Sequence, residues 1–553
     1  MSRRVKLTQI VLSFIAIALV ASLFLGGLVG GRNQDPPAST STTGPQTPSA
    51  IPEGERMPGV PEKPIAEHAV FPAEPNENAD RQLDYVPSGT VAVEFADSLG
   101  DYAAYATQVV NWQQCASGEG QCATIKAPLD WDNPDGDAIE VAVRRVPSGD
   151  SSRGPLFFNP GGPGFGGQDM AQRMAGRWQN YDAVGWDPRG TGQSTHVVCG
   201  TLEQTDEMMN LDASPDDDAE DKALRDGGAD FAKQCRDSSG KLLDHISTID
   251  VVRDLDLLRH LLGAEKLNYV GVSYGTFVGA TYAQLFPNSV GRLVLDAAVD
   301  ITGEDEIPQA AGFDLALRNF TKWCATASDE LCPLEGDQDE INEGIVSVLT
   351  KLDQNPLPVG ARELTQSLAA TGIAVFLYED DSAYRTLAQV ILAAQRGDGQ
   401  PLLAAADLLN GRGGSSYDTS TYAFPAMACA DAVDEGADAV LGNWRETFAK
   451  APIMAPFMGA GYSCEFWTAE SAPQLKLTAP GAPTILVVGT TGDSATPYEQ
   501  AKSMAEQLES GTLLTLDGAG HGAVTGQNKC IADAVDGYLY DGKAPEDGKV
   551  CTA

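Results

Sequence analysis

The sequence predicts an α/β fold: a mostly parallel sheet flanked by helices, with an inserted helical cap. Three observations predict it. Short apolar runs recur along the chain, and several end at Gly, Asn or Asp. Stretches with apolar residues at helical spacing lie between those runs, and strand–helix–strand order implies a parallel sheet covered by helices. From 301 to 460 the pattern is mostly helical with no strand alternation, as in TLAQVILAAQ and PLLAAADLL, which marks an insertion within the sheet.

The predicted strands are 138–146 (AIEVAVRRV), 155–158, 181–185, 267–272, 292–295 and 484–488. In DVVRDLDLLRHLLG, Val251, Leu255, Leu258 and Leu262 fall on one helical face. Ser247 or Thr248 can cap the start of that helix and Gly263 its end. The expected division is 1–31 leader, 32–90 linker, 91–300 first part of the core, 301–460 cap and 461–553 last part of the core.

The leader carries Arg3, Arg4 and Lys6 before an apolar stretch at 10–29. This pattern is a secretory signal or a membrane anchor. The basic flank would stay cytoplasmic and place the rest outside. Residues 32–86, rich in Pro, Ser, Thr, Asn and Glu, read as a flexible linker. The 553 residues carry a formal charge of −40. That excess of acid argues against a nucleic-acid partner, whose phosphates it would repel. The densest acidic patch, 216–221, reads as a solvated loop.

Ten cysteines fit export: Cys115, Cys122, Cys199, Cys235, Cys324, Cys332, Cys429, Cys464, Cys530 and Cys551. Spacing alone leaves their connectivity open. Pairing in order would close five local loops, each bridge adding about 2–4 kcal/mol. No CxxC pair or His-rich cluster suggests a zinc site, and no metal or cofactor is expected.

Gly271-Val272-Ser273-Tyr274-Gly275 is a G-x-S-x-G motif between a predicted strand and a predicted helix. In that setting the chain turns sharply and exposes the serine hydroxyl beside a helix N-terminus. The alternative is a purely structural turn. A serine alcohol needs a base to remove its proton. On such an elbow the acid and then the histidine follow the serine in the chain. Of His68, His196, His245, His260 and His521, only His521 follows Ser273. Asp493, after the run TILVVG, is the candidate acid; the alternative is an Asx turn or helix cap before Thr496 and Pro497. Asp296, at the end of RLVLD, is the competing acid. For a developing oxyanion, the Tyr274 N–H is one candidate donor. The turn NPGGPG at 159–164, with Gly161 and Gly162, is the candidate source of the other.

Taken together, NPGGPGFGG (159–167), GWDPRGTGQS (185–194), the helix at 247–263, the elbow region 268–300, GTTGDSATP (489–497) and GAGHGA (518–523) resemble the prolyl iminopeptidase-like α/β-hydrolases. The resemblance is strongest to the secreted tripeptidyl aminopeptidases of actinobacteria. It implies an α/β-hydrolase core with a helical cap, and a Ser273–Asp493–His521 triad. It also implies release of short N-terminal peptides, or of a proline-type residue, from a peptide or protein with a free N-terminus. Arg189 would organise the loop beside the oxyanion turn. Cys464-Glu465-Phe466-Trp467 resembles a Cys-x-x-Trp segment of the secreted group. Prolyl iminopeptidases usually carry His before their two glycines; Asn159-Pro160 stands there instead, as in the secreted group, which weakens the proline-specific reading. Candidates to hold the substrate ammonium are Glu379, Asp380, Asp381 and Asp431. The first three also read as helix caps. An esterase or lipase using the same triad, and a silent binding protein on the same scaffold, are the competing expectations.

Overall fold

The computed structural model describes residues 102–149, 152–301, 308–432, 437–461, 463–469 and 471–552. The expected leader and linker lie outside these. Among the described residues no helix is long and apolar enough to cross a membrane.

The strands in chain order are β1 (Gln113–Gln114), β2 (Gln121–Pro128), β3 (Ala138–Val146), β4 (Pro155–Asn159), β5 (Asp182–Trp186), β6 (Leu267–Val272), β7 (Val290–Asp296), β8 (Leu357–Val359), β9 (Arg362–Leu364), β10 (Ile485–Gly492), β11 (Gly511–Ala519) and β12 (Lys549–Thr552). All but β8 and β9 form one sheet, in the order β1-β2-β3-β5-β4-β6-β7-β10-β11-β12. From β5 to β12 every pairing is parallel. β3 runs antiparallel to β5, β2 to β3 and β1 to β2.

The central strands are apolar on both faces because helices cover both. Tyr269, Leu293 and Val487 face the helices Thr248–Leu261 and Tyr274–Leu285 through Val251, Leu255, Leu258 and Tyr282. Val270, Val294 and Val488 face the other side, against Met170, Ile531 and Leu539 of Gln168–Met174 and Lys529–Asp541. The helix Thr248–Leu261 starts at a capping box between Ser247 and Asp250. Gly263 follows its end at φ +68°.

Between β7 and β10 the described chain is mostly helical, as expected. Five helices from Gln309–Thr326 to Gln400–Leu409 enclose a separate apolar core that includes Phe313, Phe320, Ile345, Leu368 and Leu402. The short antiparallel hairpin β8–β9 corrects the expectation of no strand there. The helix Ser420–Asp431 packs instead on the main core through Ala423, Ala426 and Met427. The acidic stretch 216–221 is also not a loop throughout. Asp217 caps the helix Asp218–Ser239, accepting from the Ala219 and Glu220 N–H groups, and the next acids form its first turn. There they oppose the positive end of the helix dipole.

The cysteines pair in chain order: Cys115–Cys122, Cys199–Cys235, Cys324–Cys332, Cys429–Cys464 and Cys530–Cys551.

Candidate active site

The chain reverses at Ser273, between β6 and the helix Tyr274–Leu285. Ser273 has φ +57° and ψ −127°, a conformation that side chains rarely adopt. Its N–H donates to the Asp296 carbonyl at 2.9 Å, and its own carbonyl accepts from the Thr276 N–H at 2.8 Å. The flanking glycines are required by close approach. A Cβ on Gly271 would meet the Gly275 carbonyl oxygen at 2.3 Å, and one on Gly275 would meet the Asn159 carbonyl oxygen at 2.8 Å. The alcohol therefore stands on a turn that bulkier neighbours could not form.

The structure brings Asp493 and His521 together. His521 Nδ1 lies 2.8 Å from Asp493 Oδ1, and both side chains are almost fully buried. A carboxylate only accepts, so Nδ1 carries the proton of the neutral ring and Nε2 is left as the acceptor. Nε2 is buried and has no hydrogen-bond partner among the described residues. Asp493 is fixed in turn by the N–H groups of Ala495 and Thr496, each at 2.9 Å. The cap-turn alternative for Asp493 is thus real as well: the same oxygen holds the turn and the imidazole. Thr496 Oγ1 adds a contact to Nδ1 at 3.3 Å.

Asp296 does something different. Its carboxylate accepts from the N–H groups of Ala523, at 2.9 Å, and Val524, at 2.8 Å. It anchors the loop just past His521 and makes no hydrogen bond to the ring. Full burial pushes its carboxyl up to about 6. Gly520 and Gly522, both at positive φ, let the loop turn on each side of His521. The backbone carbonyl of Tyr378, at the end of the insertion helix Gln366–Leu377, accepts from the His521 backbone N–H at 2.8 Å, and the Tyr378 ring stands edge-on, 5.4 Å from the imidazole. The sequence reading missed Tyr378 and the contacts of Thr496 to Asp493 and the imidazole. Tyr378 carries no motif; Thr496 stands three residues after Asp493, where a turn donor is common.

The turn after β4 lies against the elbow. A Cβ on Gly161 would stand 3.0 Å from the Tyr274 nitrogen. The Gly161 N–H is already taken by Asn159 Oδ1 at 2.8 Å. The Gly162 and Tyr274 N–H groups make no hydrogen bond among the described residues. Arg189 organises the neighbouring loop, as expected. It is fully buried, donates through Nε and Nη2 to Asp254 at 2.7 Å each, and reaches the carbonyls of Pro128, Leu129 and His245.

The four acids proposed for an ammonium separate clearly. Asp380 caps the turn at Ser382 and Asp381 is exposed. Asp431 accepts from the Thr248 N–H and hydroxyl, and burial pushes it up to about 7. Glu379 is half-buried, and its Oε1 is buried with no partner among the described residues. It directly follows Tyr378. Burial, with Asp380 nearby, raises its carboxyl above the usual range.

A cavity of about 630 Å³ has Pro160, Val272 and His521 in its wall. A serine on an elbow, a buried imidazole with a free nitrogen and an adjacent cleft are the parts of a nucleophilic hydrolase.

Comparison with known proteins agrees. Residues 154–332 match the family described as alpha/beta hydrolase fold, and residues 451–551 the family described as TAP-like protein. Ser273 lies in the first stretch, Asp493 and His521 in the second. The chain is 33% identical to the serine protease Hip1 of Mycobacterium tuberculosis, over 80% of this chain and 91% of that one. It is 31% identical to a tripeptidyl aminopeptidase of Streptomyces lividans, over 80% and 86%. It is 33% identical to carboxylesterase B of Mycobacterium tuberculosis, over 78% and 86%. With this coverage and an elbow-bearing parallel sheet, the chain belongs to the TAP-like α/β-hydrolases and is a hydrolytic enzyme.

Proposed function

We propose that this hydrolase is a serine aminopeptidase that releases short N-terminal peptides, of the tripeptidyl type, through an acyl-enzyme on Ser273. His521 Nε2 takes the Ser273 proton as Oγ attacks the peptide carbonyl. Asp493 holds the ring in the required tautomer and stabilises the imidazolium that forms. The Tyr274 and Gly162 N–H groups receive the oxyanion, with Gly161 shaping the turn between them. Losing one such donor typically costs ~10²–10³ in rate. The imidazolium then protonates the leaving amine, and water repeats the sequence to free the acyl group.

The observation that carries this reading is the buried imidazole, bonded to Asp493 through Nδ1 and open at Nε2. The protease and aminopeptidase names of two relatives support peptides as the substrate. Glu379 supports the exopeptidase reading, because an unpaired buried carboxylate oxygen is costly unless a cation meets it. An ammonium at the substrate N-terminus is such a cation. The five disulfides and the basic, then apolar, N-terminal segment support action outside the cytoplasm. Carboxylesterase B, a relative of equal identity to Hip1, favours an esterase as the second reading.

One substrate panel separates the two. Peptides with a free N-terminus should be cleaved, and the same peptides N-acetylated should not. Equal cleavage of blocked and free peptides removes the aminopeptidase reading; acyl esters cleaved in place of both peptides establish the esterase.

A further inference from the structure

The cavity whose wall includes His521 is also lined by a polar group of residues, Arg144, Gln168, Asp169 and Arg173. The chemistry above does not use these four. Arg144 rises from β3, and its side chain is 3% exposed. Its Nη2 donates to the Ser117 carbonyl at 2.9 Å and its Nη1 to Gln172. Its Nε is buried and has no partner. Asp169 Oδ1 is 3.7 Å from Nη1, on a side chain that is 79% exposed. Arg173, one turn further along the helix Gln168–Met174, makes no hydrogen bond or ion pair among the described residues. Its side chain is exposed at the helix surface; neighbouring protein lowers its guanidinium pKa by desolvation, and Asp169 is the charge that opposes this.

The other charges in this cavity already have partners. Asp187 accepts from Gln168 at 2.7 Å and the Gln193 N–H at 2.9 Å. Its carboxylate is enclosed by Gly166 and Gly192, where a Cβ would meet it at 2.4 and 2.3 Å. Arg412 pairs with Asp206, Asp407 with Arg362, and Asp418 receives the Ser420 N–H. Asp169, solvent-exposed and 3.7 Å from Arg144, is thus the one carboxylate near these two guanidiniums without a closer partner among the described residues.

We propose that this part of the cavity is a subsite for a carboxylate carried by the substrate, with Arg173 as the adaptable donor and Arg144 as the fixed positive charge. The carboxylate is either an acidic side chain or the free C-terminus of a short peptide. The assignment rests on the reading of this cavity as the peptide cleft. Charge-assisted N–H···O⁻ bonds are stronger than neutral ones, and guanidinium presents paired donors to a carboxylate. The chain's net charge of −40 repels acidic ligands at long range, so a substrate carboxylate needs such local cations to be held.

Binding to the Ser273→Ala protein tests this without turnover. Calorimetry would compare two pairs of short peptides with free N-termini: C-terminal acid against C-terminal amide, and a Glu-containing peptide against its Gln counterpart, both amidated. The expected result is about tenfold tighter binding of the carboxylate member of one pair. The pair that discriminates identifies the source of the carboxylate. Arg173→Ala should remove the preference, Arg173→Lys should keep part of it, and affinity for the neutral members should not change. Equal binding within both pairs, no binding of any of the four, or a preference that survives Arg173→Ala would overturn the proposal. Cleavage by the enzyme with Ser273 intact is read separately. If no peptide is cleaved while the carboxylate preference persists, the aminopeptidase reading fails and the subsite stands.

Discussion

Asp296 and Asp493 sit at the ends of the adjacent parallel strands β7 and β10, yet they hold different parts of one loop. Asp493 takes the His521 imidazole, while Asp296 takes the backbone two and three residues further on. The two acids therefore predict different phenotypes. Asp493→Asn keeps the shape but presents the wrong tautomer, and should lower kcat by roughly 10⁴ with little change in Tm. Asp296→Asn should turn an amide donor towards backbone donors, costing about 1–3 kcal/mol of stability with a far smaller loss of kcat. Steady-state kinetics and thermal unfolding of the two variants check the division. A larger rate loss in the Asp296 variant would reverse the assignment.

The same residue predicts a pH effect. The Asp296 carboxyl is pushed up to about 6 by burial, above the value near 3.9 of an unfolded chain. Between those values the folded state binds more protons than the unfolded state. The stability this gives is complete below about pH 4 and is lost as pH rises through about 6. Asp296→Asn cannot titrate, so its Tm deficit against the wild type should narrow between pH 4 and 7. A deficit that stays constant across that range contradicts the account.

Arg189 and Asp254 form a fully buried bidentate pair beneath the loop beside the oxyanion turn. Arg189→Ala would leave the carboxylate uncompensated and should cost about 3–5 kcal/mol. Arg189→Lys keeps the charge but loses the fork, and should fall between. Urea unfolding measures both. A loss below about 1 kcal/mol in the alanine variant would show that water or rearrangement replaces the pair.

Gly271 cannot carry a side chain without displacing the elbow, because a Cβ would meet the Gly275 carbonyl oxygen at 2.3 Å and Tyr269 Cε1 at 2.6 Å. Gly271→Ala should cost about 1–3 kcal/mol and reduce kcat as well. Gly414→Ala, where a Cβ meets nothing within 4 Å, is the control and should change stability by no more than about 0.5 kcal/mol. Equal behaviour of the two variants would mean the turn tolerates bulk.

These contrasts also explain what the sequence could and could not reveal. Central strands were legible because a strand buried on both faces reads as an unbroken apolar run, as in β6 and β10. β2 and β12 were not: QCATIKAP mixes polar and apolar residues at the antiparallel edge, and KVCT is short and mostly exposed. The acids at 216–221 hid a helix start because charge density masked the capping pattern of Asp217. In the candidate site, chain order isolated His521. It could not choose between two acids that both end buried strands. That choice, and the contact from Tyr378, depend on how the loop and the insertion fold back, which no local pattern encodes.

In the proposed reaction Ser273 is activated by His521 and becomes acylated. The most direct measurement is intact mass and peptide mapping after reaction with a fluorophosphonate. One adduct per chain is expected, on Ser273, formed by the wild type and lost in both Ser273→Ala and His521→Ala proteins that remain folded. No adduct on folded wild-type protein, or an adduct on another residue, would contradict it.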